Sequence, residues 1–115
     1  MSLPDGNLLV VGRMMLFMNE PSHFFVTKVM IMRYLPDGRL DQSFGTAGIV
    51  SEEMNLDSIY GVLDAKVDSR GNIFVSTYGS EYGSNQNESL ILKYHSDGTR
   101  DTSFGVNGQL LRVND

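Results

Sequence analysis

The chain has 115 residues, 41% hydrophobic and 20% charged, with 9 Lys plus Arg against 14 Asp plus Glu and a net charge of −5. That length permits one domain with a buried core, and the acidic balance argues against a nucleic-acid backbone or an anionic membrane as partner, because both need a basic face. Without cysteine there is no disulfide and no thiolate metal site, and no apolar run of about 18 residues exists to cross a bilayer as a helix.

Period-two alternation and turn residues predict an all-β chain of about seven antiparallel strands. Asn7 to Met18 is the first and Phe24 to Leu35 the second. Val10 to Met18 is apolar, but Gly12 and Arg13 break it and no basic segment precedes it, so it is a poor signal peptide. Any export signal is expected outside this sequence. Pro36-Asp37-Gly38 is a turn, followed by a short strand over Gly48 to Met54. Ser58 to Val67 is the fourth strand, and Ser69-Arg70-Gly71 turns the chain into the fifth, Asn72 to Tyr78. Ser89 to His95 and Gln109 to Val113 complete the set, and no segment combines a helical period with a cap.

The chain repeats itself. Arg33 to Val50 and Lys93 to Leu110 share eight of eighteen residues at an offset of 60: Tyr34/Tyr94, Asp37/Asp97, Gly38/Gly98, Asp41/Asp101, Ser43/Ser103, Phe44/Phe104, Gly45/Gly105 and Gly48/Gly108. Upstream, Gly6-Asn7-Leu8 matches Gly71-Asn72-Ile73 at an offset of 65. The first copy therefore carries five extra residues between Gly6 and Tyr34, which insertion logic assigns to a loop. Residues 1–56 form a first repeat of about three strands and 57–115 a second of about four, together one domain. Both faces of several strands are apolar, as in Leu8 to Met18. A sheet with one wet face would alternate, so these strands suit stacked sheets such as propeller blades. The seven methionines suit irregular gaps between such sheets.

The pattern Arg/Lys-Tyr-x-x-Asp-Gly-x-x-Asp-x-Ser-Phe-Gly-x-x-Gly, at Arg33 to Gly48 and Lys93 to Gly108, resembles the bacterial delta-sixty repeat (delta-60), a β-propeller-like family of unknown function. Asp5 to Gly12 is similar to the strand upstream of it in that family. The resemblance implies tandem blades in large bacterial surface or secreted proteins and no established catalytic residues. This chain has fewer than two full copies.

The repeat motif reads first as structure. Asp37-Gly38 and Asp97-Gly98 are turn dipeptides in which glycine takes positive φ. Asp41 and Asp101 cap backbone N–H groups of the next turn. Phe44 and Phe104 plug the core, and Gly45 and Gly105 let the chain bend. The competing reading is a cation site of Asp97, Asp101 and Ser103, but calcium takes six to eight oxygens, and the segment lacks that density of carboxylates. A hydrolase would draw on Asp64 and Asp68 or on Glu52 and Glu53; the latter point to opposite sides of a strand and cannot act as a pair. His23 and His95 have no third ligand nearby, so neither metal nor cofactor is expected. The polar loop Tyr78 to Glu88, with Asn19 to His23 as its counterpart, is the candidate ligand surface. There Tyr82 would stack on a sugar ring while Asn85, Gln86 and His23 bond hydroxyls, although Gly, Ser and Asn also make plain flexible connections. The expected protein is a non-catalytic binding or adhesion module, extracellular or at a bacterial cell surface, taking a glycan or a cell-surface protein. Its apolar outer faces predict a homo-oligomer, a trimer by preference, since three two-blade chains make a six-bladed ring. The alternatives are a purely structural fragment of a longer propeller and, behind it, a propeller-type hydrolase.

Overall fold

The computed structural model describes residues 1–17, 25–53, 58–81 and 87–114. In it the chain is all β: β1 (Leu8–Phe17), β2 (Phe25–Tyr34), β3 (Ile49–Glu53), β4 (Ser58–Val67), β5 (Ile73–Glu81), β6 (Asn87–Tyr94) and β7 (Gln109–Asn114). They form two sheets, β1-β2-β3 and β4-β5-β6-β7, with every neighbouring pair antiparallel. The two sheets are the two sequence copies, and the fold class agrees with the one expected from the period-two pattern.

Local chemistry explains where the strands stop. Between β4 and β5 the Asp68 carboxylate accepts the backbone N–H groups of Arg70 and Asn72, both at 2.9 Å, and so closes the turn by satisfying its donors. The same turn opens the first copy, where Asp5 accepts from the N–H of Asn7 at 3.0 Å. Ser2 bridges Leu8 there as Val67 pairs with Ile73 in the second copy. Residues 1–3 thus lie against β1 where the end of β4 lies against β5.

The hairpins of the two copies differ in their described pairing. β1 and β2 pair over ten residues, from Leu8↔Tyr34 to Phe17↔Phe25, and β5 and β6 over eight. Among the described residues each arm of the first hairpin is therefore two residues longer than its counterpart in the second. Adding two residues to each arm preserves the period of two, so no side chain changes face.

One buried cluster joins the sheets. Leu9, Val29, Ile31 and Phe44 come from the first copy, and Val75, Leu90, Leu92 and Tyr94 from the second. Burying a side chain such as Ile31 or Leu92 completely contributes roughly 1.5–3 kcal/mol. Backbone contact between the sheets centres on β4, which lies against β1 and β2. The reverse faces are apolar but open: Leu8 and Met14 on the first sheet, Ile91 and Leu110 on the second, are all exposed.

Candidate functional site

Each repeat motif folds into two consecutive turns. In the first copy, Gly38 N–H donates to the Leu35 carbonyl at 2.9 Å, while the Asp37 carboxylate accepts the backbone N–H of Arg39 at 3.1 Å and its Nε at 2.7 Å. In the second copy, Gly98 N–H donates to the His95 carbonyl at 2.9 Å, and Asp97 accepts the N–H and hydroxyl of Thr99 at 2.9 and 2.7 Å. Both carboxyls are held below the usual carboxylate range, chiefly by the Arg39 N–H at Asp37 and by the Thr99 hydroxyl at Asp97.

The next turn is built on Asp41 and Asp101. Asp41 accepts the N–H and hydroxyl of Ser43 at 3.0 and 2.6 Å and pairs with Arg33 Nε at 2.9 Å. Asp101 accepts the same two groups of Ser103 at 3.1 and 2.5 Å and pairs with Lys93 Nζ at 3.1 Å. The Ser103 hydroxyl, helped by the Lys93 ammonium, holds the Asp101 carboxyl at a pKa of about 2. Asp41 is lowered for the corresponding reasons, its Ser43 hydroxyl first and Arg33 among the others. The cation also covers the aromatic plug: Arg33 Cζ lies 4.7 Å from the Phe44 ring centroid, and Lys93 Nζ 5.7 Å from that of Phe104.

The two phenylalanines are not equivalent, which corrects the expectation that both plug the core. Phe44 is completely buried. Phe104 is only half-buried, meeting Phe74 edge-on at 5.7 Å between centroids. The reason is what lies above them. Phe44 belongs to the buried cluster shared with the second copy, whereas Phe104 lies outside it and meets Phe74 and Lys93 of its own copy.

The second copy docks on the first through its Asp97-Gly98 turn. Gly45 N–H donates to the Asp97 carbonyl at 2.7 Å, and Arg33 Nη1 donates to the Ser96 carbonyl at 2.7 Å. Gly98 is buried against Val50 and Gly45: a Cβ there would come within 2.8 Å of Val50 Cγ2 and 2.9 Å of Gly45 N. Alongside, the Tyr94 hydroxyl donates to Glu52 Oε2 at 3.2 Å, and Arg100 Nη1 donates to Glu52 Oε1. Burial first, and then the Glu52 charge, push the Tyr94 phenol well above its usual range, so it stays a donor. Among the described residues the hydroxyl of Tyr34, the counterpart of Tyr94, donates only to Met32 Sδ, at 3.7 Å.

The joint between the copies is the one composite site the described residues build, and sequence reading missed most of it. Glu52, Arg33, Ser96 and Arg100 were not recognised as partners. The available signal was a cation at equivalent positions, Arg33 and Lys93. Of the cation-site candidates, Asp97 serves Thr99 while Asp101 and Ser103 serve each other. Asp68 serves its own turn, and Asp64 is exposed and accepts the N–H of Ala65. The proposed ligand residues Tyr82, Asn85, Gln86 and His23 lie outside the described residues.

A family model described as a domain of unknown function (DUF5122) beta-propeller matches residues 3–44 and 71–104, more than half of the chain. No curated protein and no solved structure matches it.

Proposed function

The chain belongs to the DUF5122 β-propeller family, and from that premise we propose that it is a non-catalytic blade-pair module whose work is assembly and binding. The observation that carries this reading is the employment of the motif carboxylates. Asp37, Asp41, Asp68, Asp97 and Asp101 each accept hydrogen bonds from their own turn, and all five carboxyls lie below their ordinary range. A general acid at neutral pH needs the opposite shift. The repeated residues hold turns and join blades.

The finer assignment is a delta-sixty repeat of a bacterial surface or secreted protein, its two hairpin connections forming one ligand-binding end. Tyrosine beside amides in 82–86 suits a glycan or a polar protein surface. Three chains would complete a six-bladed ring, and repetition of a weak site around such a ring raises avidity, as at a fibre tip. The second reading, a structural fragment of a longer propeller without a ligand, is favoured by the open apolar faces of both sheets.

A glycan array and a panel of cell-surface proteins test the binding reading. Specific hits that vanish in Tyr82→Ala, with unchanged melting, are the expected result. An empty array and panel would leave the structural fragment in its place, and turnover of any glycoside or ester substrate would remove the non-catalytic premise.

A further inference from the structure

The two copies meet through unlike faces, and each unlike face has a twin left open among the described residues. Leu9, Ile31, Phe44 and Val50 of the first copy pack into or against the core that it shares with the second. Their equivalents at offsets of 65 and 60 are Phe74, Ile91, Phe104 and Leu110. These lie on the open side of the second sheet, where Ile91 is 36% and Leu110 46% exposed. Conversely, Ile73, Val75, Leu92 and Tyr94 are buried in the joint. Their equivalents Leu8, Val10, Met32 and Tyr34 lie on the open side of the first sheet, with Leu8 42% exposed.

The polar pins are duplicated in the same way. Gly45 N–H holds the Asp97 carbonyl, yet among the described residues no carbonyl accepts from Gly105 N–H. Gly98 is pressed against Val50 and Gly45, yet a Cβ on Gly38 would meet nothing within 4 Å. The shelf beside Gly105 has the matching shape, since Leu110 stands to Gly105 as Val50 stands to Gly45, each within 2.9 Å of the position of a glycine Cβ.

We propose that a second copy of this chain seats its Leu35–Arg39 turn on the shelf formed by Lys93, Gly105 and Leu110. The Asp37 carbonyl then accepts the Gly105 N–H, as the Asp97 carbonyl accepts that of Gly45 within each chain. The occupant is a second copy because the chain already makes this joint once and carries both halves of it again, unused. The contact is heterologous, so it propagates head to tail and closes into a ring when the rotation allows. The inference rests on the blade-pair reading above and gives it a specific joint.

Two variants break the joint from opposite sides. Gly38→Asn keeps a residue that tolerates positive φ but fills the space the shelf must occupy. Leu110→Asp puts a charge on the shelf and leaves the turn intact. By sedimentation and light scattering at micromolar concentrations and above, the wild-type chain is expected to exceed its monomer mass of 12.8 kDa, and each variant alone to be monomeric. An equimolar mixture of the two retains one good turn and one good shelf, and is expected to give a species of twice the monomer mass and nothing larger. Circular dichroism on each variant establishes that the sheets are intact. A wild-type chain that stays monomeric, single variants that still assemble, or a mixture that fails to pair would each overturn the joint. A monomeric wild type that binds a glycan would overturn the joint while leaving the module reading standing.

Discussion

Asp37-Gly38 and Asp97-Gly98 are the same turn with the same hydrogen bonds, but Gly38 is exposed and Gly98 is buried between the copies. Phe44 and Phe104 stand in the same relation: one is fully buried in the shared cluster and the other is only partly buried. The difference teaches that the motif encodes a turn and a plug, and that the neighbour decides how much each contributes to stability. Equal sequence therefore predicts unequal mutational cost, as long as the chain is diluted to a monomer.

The sharpest break in that comparison comes at the plugs. Phe44→Ala is expected to destabilise by about 3–5 kcal/mol, as full truncation of a buried ring does, and Phe104→Ala by less, because part of its surface is already wet. Denaturant melts of both changes, each made in the monomeric Gly38→Asn background, measure the gap. Equal losses in the monomer would mean that Phe104 is covered by something other than a second copy. In an assembled state the two losses should converge.

At the turns, Gly98→Ala adds a steric clash to its positive-φ strain, for a total of about 2–5 kcal/mol, while Gly38→Ala carries only the strain, about 1–2 kcal/mol. Thermal unfolding of the pair checks the order. Gly38→Ala costing as much as Gly98→Ala in a monomeric sample would contradict the open surroundings of Gly38.

Acid should weaken both copies together. Asp101 has a folded carboxyl pKa of about 2 against an ordinary 3.8, so the unfolded chain takes up protons first as the pH falls. Its stabilisation is complete above about pH 5 and is lost progressively between about pH 4 and pH 2. Asp41, lowered by the same kind of hydroxyl and cation, adds loss in the same sense. Melting temperatures from neutral pH down to pH 3 should fall for the wild type, and Asp101→Asn should start lower and fall less steeply. A variant with the wild-type slope would mean that other groups carry the acid response.

The smallest effect concerns Ala47 and Asn107, which share a left-handed backbone at φ 54° and 56°. Asparagine adopts that conformation at a lower cost than alanine. Ala47→Asn is expected to stabilise by less than about 1 kcal/mol, and a small rise in denaturant midpoint would register it.

Much of this could be read in the chain itself. The strands of both copies, their antiparallel order and the turns at Asp37, Asp68 and Asp97 follow from alternation, glycine and side-chain-to-backbone hydrogen bonds, all of which act over a few residues. The roles of Asp41 and Asp101 as turn caps are equally local, because the serine two residues later supplies both donors. The five-residue offset was visible, yet the longer described pairing of β1 with β2 was not, since a sequence offset does not say whether added residues pair.

Tertiary structure decided the rest. Whether Phe44 or Phe104 is sealed, which glycine is pressed against a neighbour, and that Glu52 receives Tyr94 and Arg100 all depend on how one sheet stacks on the other. Stacking joins residues some 40 to 60 positions apart, and no period within a strand records which of two apolar faces finds a partner. The amino-acid sequence by itself determined the blade and its turns because those are short-range problems of backbone geometry. The joint was decided only by packing, because identical motifs acquire different energies once one of them is covered.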